Sequence, residues 1–437
     1  MHSFRALLVL FAVFMIARPA DAQNCGFVPE AIVNLRAPIA GSYNVWDTIH
    51  GDLEHSEMFF DALPVDGGNI LMIGDRLDPK TSSVRAPFLI AVGRNGRVLW
   101  EKPLGIPGFE ELVKMEAFND GVIIMANVQE KKRDKVWIGA FKLDGERVWR
   151  SGLQAPSAGH LYGHDIVSDG KSLIVATTRR SKDGTDPLTT VFHRLNSKGA
   201  VIQSRAFAIG ADNTIADIEL MSDRTILGVG FANNASGRRD GWMMRVTPDF
   251  ILNWQAPYPR GDASELNAVA LLKKDQYAVA VGTALPNKEG HRAGWILTVE
   301  AAGGDVAWQR YFSGDLHFDG RDILTNKDGI ISAILDGQTP EESDEKEHIR
   351  LLTLNPRGDL FVSDEYFNGE AVDAVRLFET RTHNRVILGS TRIVHRVGLV
   401  QDGDDAETKE TIDAWAVAAP RSEPYEDPCI PKIRNLP

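Results

Sequence analysis

All nine tryptophans of the chain fall into two registers of one repeat about 53 residues long, and such self-similarity marks a stacked or radial array of one supersecondary unit. Trp46, Trp100, Trp149, Trp254 and Trp308 share the first register, with Gln203 and Phe361 near its two empty places. Trp137, Trp242, Trp295 and Trp415 share the second, completed by Phe88, Val191 and Ile349. A chain of 437 residues could hold more than one ordinary domain, but a repeat running through nearly all of it predicts a single body.

Each unit opens with a short apolar strand and turns at Asp66-Gly67, Asp120-Gly121, Asp169-Gly170, Asp223, Asp275, Asp328-Gly329 or His383-Asn384. A β-branched strand follows, as in Ser172 to Thr177, then a polar loop and a third strand such as Gly241 to Val246. A tight turn leads into a fourth strand ending near Trp, as in Asn95 to Trp100. Four short antiparallel strands, repeated seven times with almost no helical periodicity, predict an all-β fold, a seven-bladed β-propeller. The expected blades cover 58–105, 113–153, 163–209, 215–260, 266–314, 320–369 and 373–419 plus 43–50. The last unit lacks a fourth strand of its own, whereas Asn44 to Ile49 carries the fourth-strand pattern without a preceding unit. The N-terminal segment is therefore expected to complete the last blade and leave no open seam.

Residues 1–22 place Arg5 before the apolar run Ala6 to Ile16 and the small residues Ala20 and Ala22, the order of a secretory signal. The mature chain is expected to begin at Gln23 and to reside in the periplasm or outside the cell, with no transmembrane segment. Cys25 and Cys429, the only cysteines, lie near its two ends and predict one disulfide in an oxidising compartment, with two free thiols as the alternative. In the chain-entropy account, closing so long a loop contributes about 4–5 kcal/mol. A formal net charge of -12 argues against nucleic acid or anionic lipid as a general partner.

Units such as Gly241-Trp242 to Asn253-Trp254 and Gly294-Trp295 to Ala307-Trp308 resemble the quinoprotein-like, or PQQ-like, repeat propellers of bacterial envelopes. That group includes cofactor-binding dehydrogenases and non-catalytic assembly proteins, so the resemblance implies a superfold rather than an activity. Its enzymes carry a Thr-Gly-Lys-like turn before the Trp and often a vicinal cysteine pair. Here the turns read Arg94-Asn95-Gly96, Leu143-Asp144-Gly145 and Gly303-Gly304-Asp305, and the cysteines are far apart, which argues against a quinone cofactor.

An acidic or amide residue recurs at the start of each innermost strand, before two or three apolar ones: Asp61, Glu116, Asp165, Asp217, Asn267, Asp322 and Asp373. Innermost strands line the channel of a propeller, so these positions predict a ring near its mouth. The ring could hold a cation such as Ca²⁺ or receive a basic group from a partner. Equally, each acid could accept backbone N–H groups and fix the junction between blades. His160, Tyr162, His164 and Asp165 form the densest cluster of reactive side chains, with His317, Asp319 and Glu54-His55-Ser56-Glu57 on equivalent loops. Loops between second and third strands are basic or mixed around Lys131–Lys135, Arg179–Asp183 and Arg238–Asp240, and acidic at Glu341–Glu347 and Asp402–Glu407. That contrast predicts a charge gradient across one face.

No nucleophile elbow, phosphate-cradling loop or paired-cysteine metal motif is present in the sequence. The expectation is a monomeric, non-catalytic binding propeller of the cell envelope that engages a protein or an envelope polymer, a glycan included. The alternative is a hydrolase or a quinone- or metal-dependent oxidoreductase, with His160, His164, His317 and ring acids at the channel mouth.

Overall fold

The computed structural model describes residues 28–422 except 36–43, 78–84, 157–158, 210, 286–289, 341–345 and 398–406. The segment 1–22, both cysteines and most of the two acidic loops thus lie outside the described residues.

Strand position follows from burial. The third strand Arg239–Val246 is buried almost throughout, because neighbouring blades cover both its faces. The fourth strand Leu252–Tyr258 alternates exposed and half-buried residues, as an outer edge does. Six sheets are built from consecutive strands, spanning 56–103, 109–153, 160–207, 213–258, 263–313 and 317–366. The seventh contains Ala371–Glu379, Arg385–Val397 and Glu407–Ala419. Among the described residues there is no α-helix, and no helix is long and apolar enough to cross a membrane.

Two N-terminal strands join this ring, β1 (Glu30–Asn34) and β2 (Trp46–His50). The second completes the last blade as the sequence predicts: it runs antiparallel to Glu407–Ala419, with Trp46 opposite Ala418 and Ile49 opposite Trp415. The first was not expected. It adds a fifth, parallel strand to the outer edge of the fifth blade, with Glu30 opposite Gln309 and Asn34 opposite Ser313. Covering that edge removes a row of unpaired backbone groups.

The two tryptophan registers have different tasks. Trp137, Trp242, Trp295 and Trp415 are buried on third strands, and each packs on the preceding blade, as Trp295 does on Leu227, Val229 and Met243. The outer tryptophans instead cover a turn glycine of the next blade: Trp100 lies on Gly145, Trp149 on Gly199, Trp254 on Gly304 and Trp308 on Gly358. All four glycines have φ between 79° and 84°, a left-handed conformation that favours residues without Cβ. Where the third blade has Gln203 in place of Trp, its Nε2 donates to the Asp249 carbonyl of the next turn at 2.9 Å.

Candidate functional site: the central channel

Every innermost strand carries a β-bulge, and the residue just past it occupies the same station in all seven blades. Those residues are Asp61, Lys114, Asp165, Asp217, Ala268, Asp322 and Arg376. A bulge inserts one unpaired residue and redirects the next side chain, which is how an acid inside an apolar strand comes to face its neighbours. Four of the sequence-predicted residues stand on this ring. Glu116 lies two residues past it, Asn267 one before and Asp373 three before.

The aspartates hold the blades together. Asp61 Oδ2 accepts from Met115 N–H at 2.8 Å, Asp165 Oδ2 from Ile218 at 2.9 Å, Asp217 Oδ2 from Val269 at 2.8 Å and Asp322 Oδ2 from Leu377 at 2.7 Å. Each bond reaches the residue after the ring position of the next blade. The other oxygens of Asp61, Asp165 and Asp322 accept from the N–H of Ala62, Ile166 and Ile323. Off the ring, Glu116 Oε1 accepts from Ser168 N–H at 3.2 Å, and Asn267 Nδ2 donates to the Gly320 carbonyl at 2.7 Å. Asp373 is exposed and makes no such junction bond among the described residues.

Two cations, the buried Lys114 and the half-buried Arg376, neutralise the ring from within. Lys114 Nζ lies 3.0 Å from Asp165 Oδ1 and 3.7 Å from Asp217 Oδ1. Arg376 Nε lies 3.1 Å from Asp61 Oδ1 and 3.4 Å from Asp322 Oδ2. Burial and Arg376 oppose the charge on Lys114, but Asp165, Asp217 and Asp61 outweigh them and hold its pKa above the usual lysine range. Burial likewise opposes the charge on Arg376, which Asp322 and Asp61 secure. Lys114 and Arg376 were not singled out in the sequence because they break the acidic pattern. Their signal was spacing: the inter-blade bonds of the ring span 52 to 55 residues, and only these two basic residues keep that register.

The acids still outnumber the cations, so protons remain bound. Burial and the Asp165 charge raise Asp217 well above the carboxylate range, and Asp217 donates to Asp165. Burial opposes ionisation of Asp165, yet Lys114 and the hydrogen bonds from Asp217 and Ile218 keep its pKa low. Burial pushes Glu116 up to about 8 and Glu219 up to about 7, against the pull of Lys114.

A cavity of about 830 Å³ reaches the ring, lined among others by Asp217, Glu219, Asp322, Arg376, Glu379 and His383. Its walls continue through Thr325 to Asp328 and His383, so it opens on the face of the first turns of the blades. The sequence had pointed to the opposite mouth, where the innermost strands begin. The ring itself lies mid-strand and buried, with Asp61, Asp165 and Asp322 no more than 3% exposed.

The predicted histidines do not converge. His160 Nδ1 is 2.7 Å from Asp134 Oδ2, which also accepts from Tyr162 OH at 2.5 Å. His164 Nε2 is 2.8 Å from Thr178 Oγ1, and burial pushes this histidine down to about 4. His317 Nδ1 accepts from Arg292 N–H at 3.0 Å, and Arg292 pairs with Asp319 at 2.9 Å. Burial, Arg292 and His291 lower the His317 pKa. The basic loops are similarly paired, Lys135 with Glu130, Arg238 with Asp240 and Arg239 with Glu265.

No family model matches the chain, and no curated protein sequence matches it. Among solved structures, the β-propeller domain of the Trilobed protease from Pyrococcus furiosus is similar with a TM-score of 0.44 and 10% identity, covering 77% of this chain and 91% of that one. A neuraminidase-like protein from A/bat/Guatemala/164/2009 gives 0.43 and 9%, over 77% and 96%. A glucose dehydrogenase gives 0.41 and 15%, over 71% and 99%. The assignment of a seven-bladed propeller rests on the seven sheets themselves, and it is the superfold that the quinoprotein-like resemblance implies.

Proposed function

We propose that this chain is an exported, non-catalytic binding propeller of the bacterial cell envelope, monomeric, which engages a protein or an envelope polymer. The observation that carries this reading is the division of labour in the channel. The ring acids are consumed by inter-blade N–H groups, Lys114 and Arg376, so they are poor candidates for acid–base work. The cavity beside them remains open, with Glu219 and Glu379 on its walls. Such a recess, with Glu219 and Glu379 beside Lys327, Arg376 and Arg421, suits a partner that presents polar and charged groups of both signs.

Crosslinking and pull-down from the native envelope tests this, with the wild type beside a Glu219→Gln/Glu379→Gln double variant. A partner captured by the wild type and lost by the variant is the expected result. Equal capture by both would remove the cavity from the reading. The enzyme alternative draws on the side-chain hydrogen bond between Asp165 and Asp217, but only Asp217 of that pair lines the cavity.

A further inference from the structure

The loop between β2 and the first innermost strand, Ser56–Pro64, brings Asp52 and His55 beside Glu57 of that strand, three metal-binding side chains that the channel does not use. One ligand atom each from Asp52, His55 and Glu57 lies within 4.8 Å of the others. His55 Nδ1 stands 2.9 Å from both oxygens of Asp52. Asp52 Oδ1 is already occupied by the N–H groups of Glu54 and His55 at 2.7 and 2.8 Å, which leaves Oδ2 the less committed oxygen.

A second observation is independent of that loop geometry. Glu57 is 1% exposed; its Oε1 accepts from Arg76 Nε at 2.7 Å, while its Oε2 is buried without a hydrogen-bond partner. Asp413 is 4% exposed and its Oδ1 is likewise buried and unpartnered. That oxygen lies against the residue preceding Asp52: a Cβ on Gly51 would stand 2.7 Å from it. Burying a carboxylate oxygen with nothing to donate to it is costly. The cations nearby do not remove the cost. Arg76 is shared with Glu101 at 3.4 Å, and Lys409 Nζ donates to the Leu53 carbonyl. Asp52, Glu57 and Asp413 thus face one shared guanidinium, one ammonium engaged elsewhere and the imidazoles of His50 and His395, of which His50 pairs with Glu101 and His395 with Thr411.

We propose that Asp52, His55 and Glu57 form a transition-metal site of the Zn²⁺ class, which clamps the loop after the borrowed strand to the first blade. The imidazole selects the metal: Ca²⁺ and Mg²⁺ prefer all-oxygen shells, whereas one nitrogen with carboxylates suits Zn²⁺ or its neighbours. Bonds of about 2 Å hold tetrahedral ligands about 3.3 Å apart, so Asp52 and His55, now 2.9 Å apart, open slightly while the pair closes on Glu57. Asp52 can make that movement because it is exposed.

The test uses tag-free, full mature protein stripped with a chelator and titrated with ZnCl₂ by calorimetry. One equivalent is expected to bind and to raise the unfolding temperature. His55→Ala and Asp52→Asn, both at accessible loop positions, are expected to weaken binding at least about tenfold and to abolish that rise. His383→Ala, which removes an exposed histidine paired with Glu379, is expected to change neither. Co²⁺ loading gives a second readout that does not depend on stability, a strong visible d–d absorption in the wild type that His55→Ala loses. The assignment is overturned if no single equivalent saturates, if binding survives both loop variants, if His383→Ala removes it, or if Ca²⁺ competes on equal terms.

Discussion

The indole of Trp46 lies against Gly96: a Cβ on that glycine would stand 3.0 Å from Trp46 Cε3. Trp46 belongs to the strand lent to the last blade, and Gly96 to a turn of the first, so this contact is the seam of the ring. It repeats what Trp100, Trp149, Trp254 and Trp308 do at other junctions, which is why a borrowed strand can seal the fold without special parts. Trp46→Ala is expected to cost about 2–4 kcal/mol, near the cost of Trp100→Ala, because both remove a large half-buried ring. Gly96→Ala should cost about 1–3 kcal/mol, since φ is 79° there and the new methyl meets the indole. Denaturant unfolding of the three variants measures this, and a neutral Trp46→Ala would show that the seam is held by something else.

A second expectation concerns the channel cations. Arg376→Met leaves Asp61 and Asp322 buried beside an apolar chain, and breaking a buried ion pair from one side typically costs about 3–5 kcal/mol. Arg94→Ala, at an exposed turn, should cost no more than about 0.5 kcal/mol in the same assay. If the two losses were alike, the ring would not be the electrostatic keystone its geometry describes.

Blade number and the borrowed strand were legible because tryptophan repeats and strand patterns are properties of residue type and spacing. The ring was half legible. Asp61, Asp165, Asp217 and Asp322 repeat one chemistry, but Lys114 and Arg376 invert the charge at the same station, and a search for recurring acids substitutes Glu116 and Asp373 for them. The bulge that defines the station is a matter of backbone register, which no single strand reveals. β1 escaped notice for a related reason: Glu30–Asn34 is five residues long and carries neither tryptophan nor turn signal.

Proton binding in the channel gives stability a pH dependence of definite sign. Glu116 and Glu219, at about 8 and about 7 against an ordinary 4.5, keep protons in the native state that the unfolded chain releases. Their contribution is whole below about 4.5 and is lost as pH rises through the native values. Asp217 acts in the same direction. His164 and His193, both lowered to about 4 by burial, act oppositely, but only between about 4 and their ordinary 6.5. From pH 6.5 to 8 the carboxyls therefore dominate, and unfolding free energy is expected to fall by about 1–3 kcal/mol. Glu116→Gln keeps an uncharged group at that site and should flatten part of the fall. A wild-type curve that is level or rising over this window would contradict the protonated channel.

The last expectation concerns the cysteines, which lie outside the described residues. Glu30 sits opposite Gln309, and the Pro29 carbonyl accepts from Gln309 N–H at 2.8 Å, so the chain enters the fifth blade on the side of its Gly303–Asp305 turn. At the other end, Ser422 Oγ is 3.3 Å from Asn326 Nδ2 in a first turn of the sixth blade. Both ends of the described residues thus lie on the face where the cavity opens, one against the fifth blade and the other, leaving the seventh, against the sixth. Cys25 lies five residues before Glu30 and Cys429 seven after Ser422, which at about 3.3–3.6 Å per residue reach about 17 and about 24 Å. A Cys25–Cys429 disulfide would tie β1 to the C-terminal segment, in addition to the seam at Trp46. Peptide mapping of the purified protein without reductant should recover the linked pair, and reduction should lower the unfolding temperature by an amount consistent with about 2–5 kcal/mol. Quantitative alkylation of both thiols before reduction would eliminate the bond and leave the closure to β2 alone.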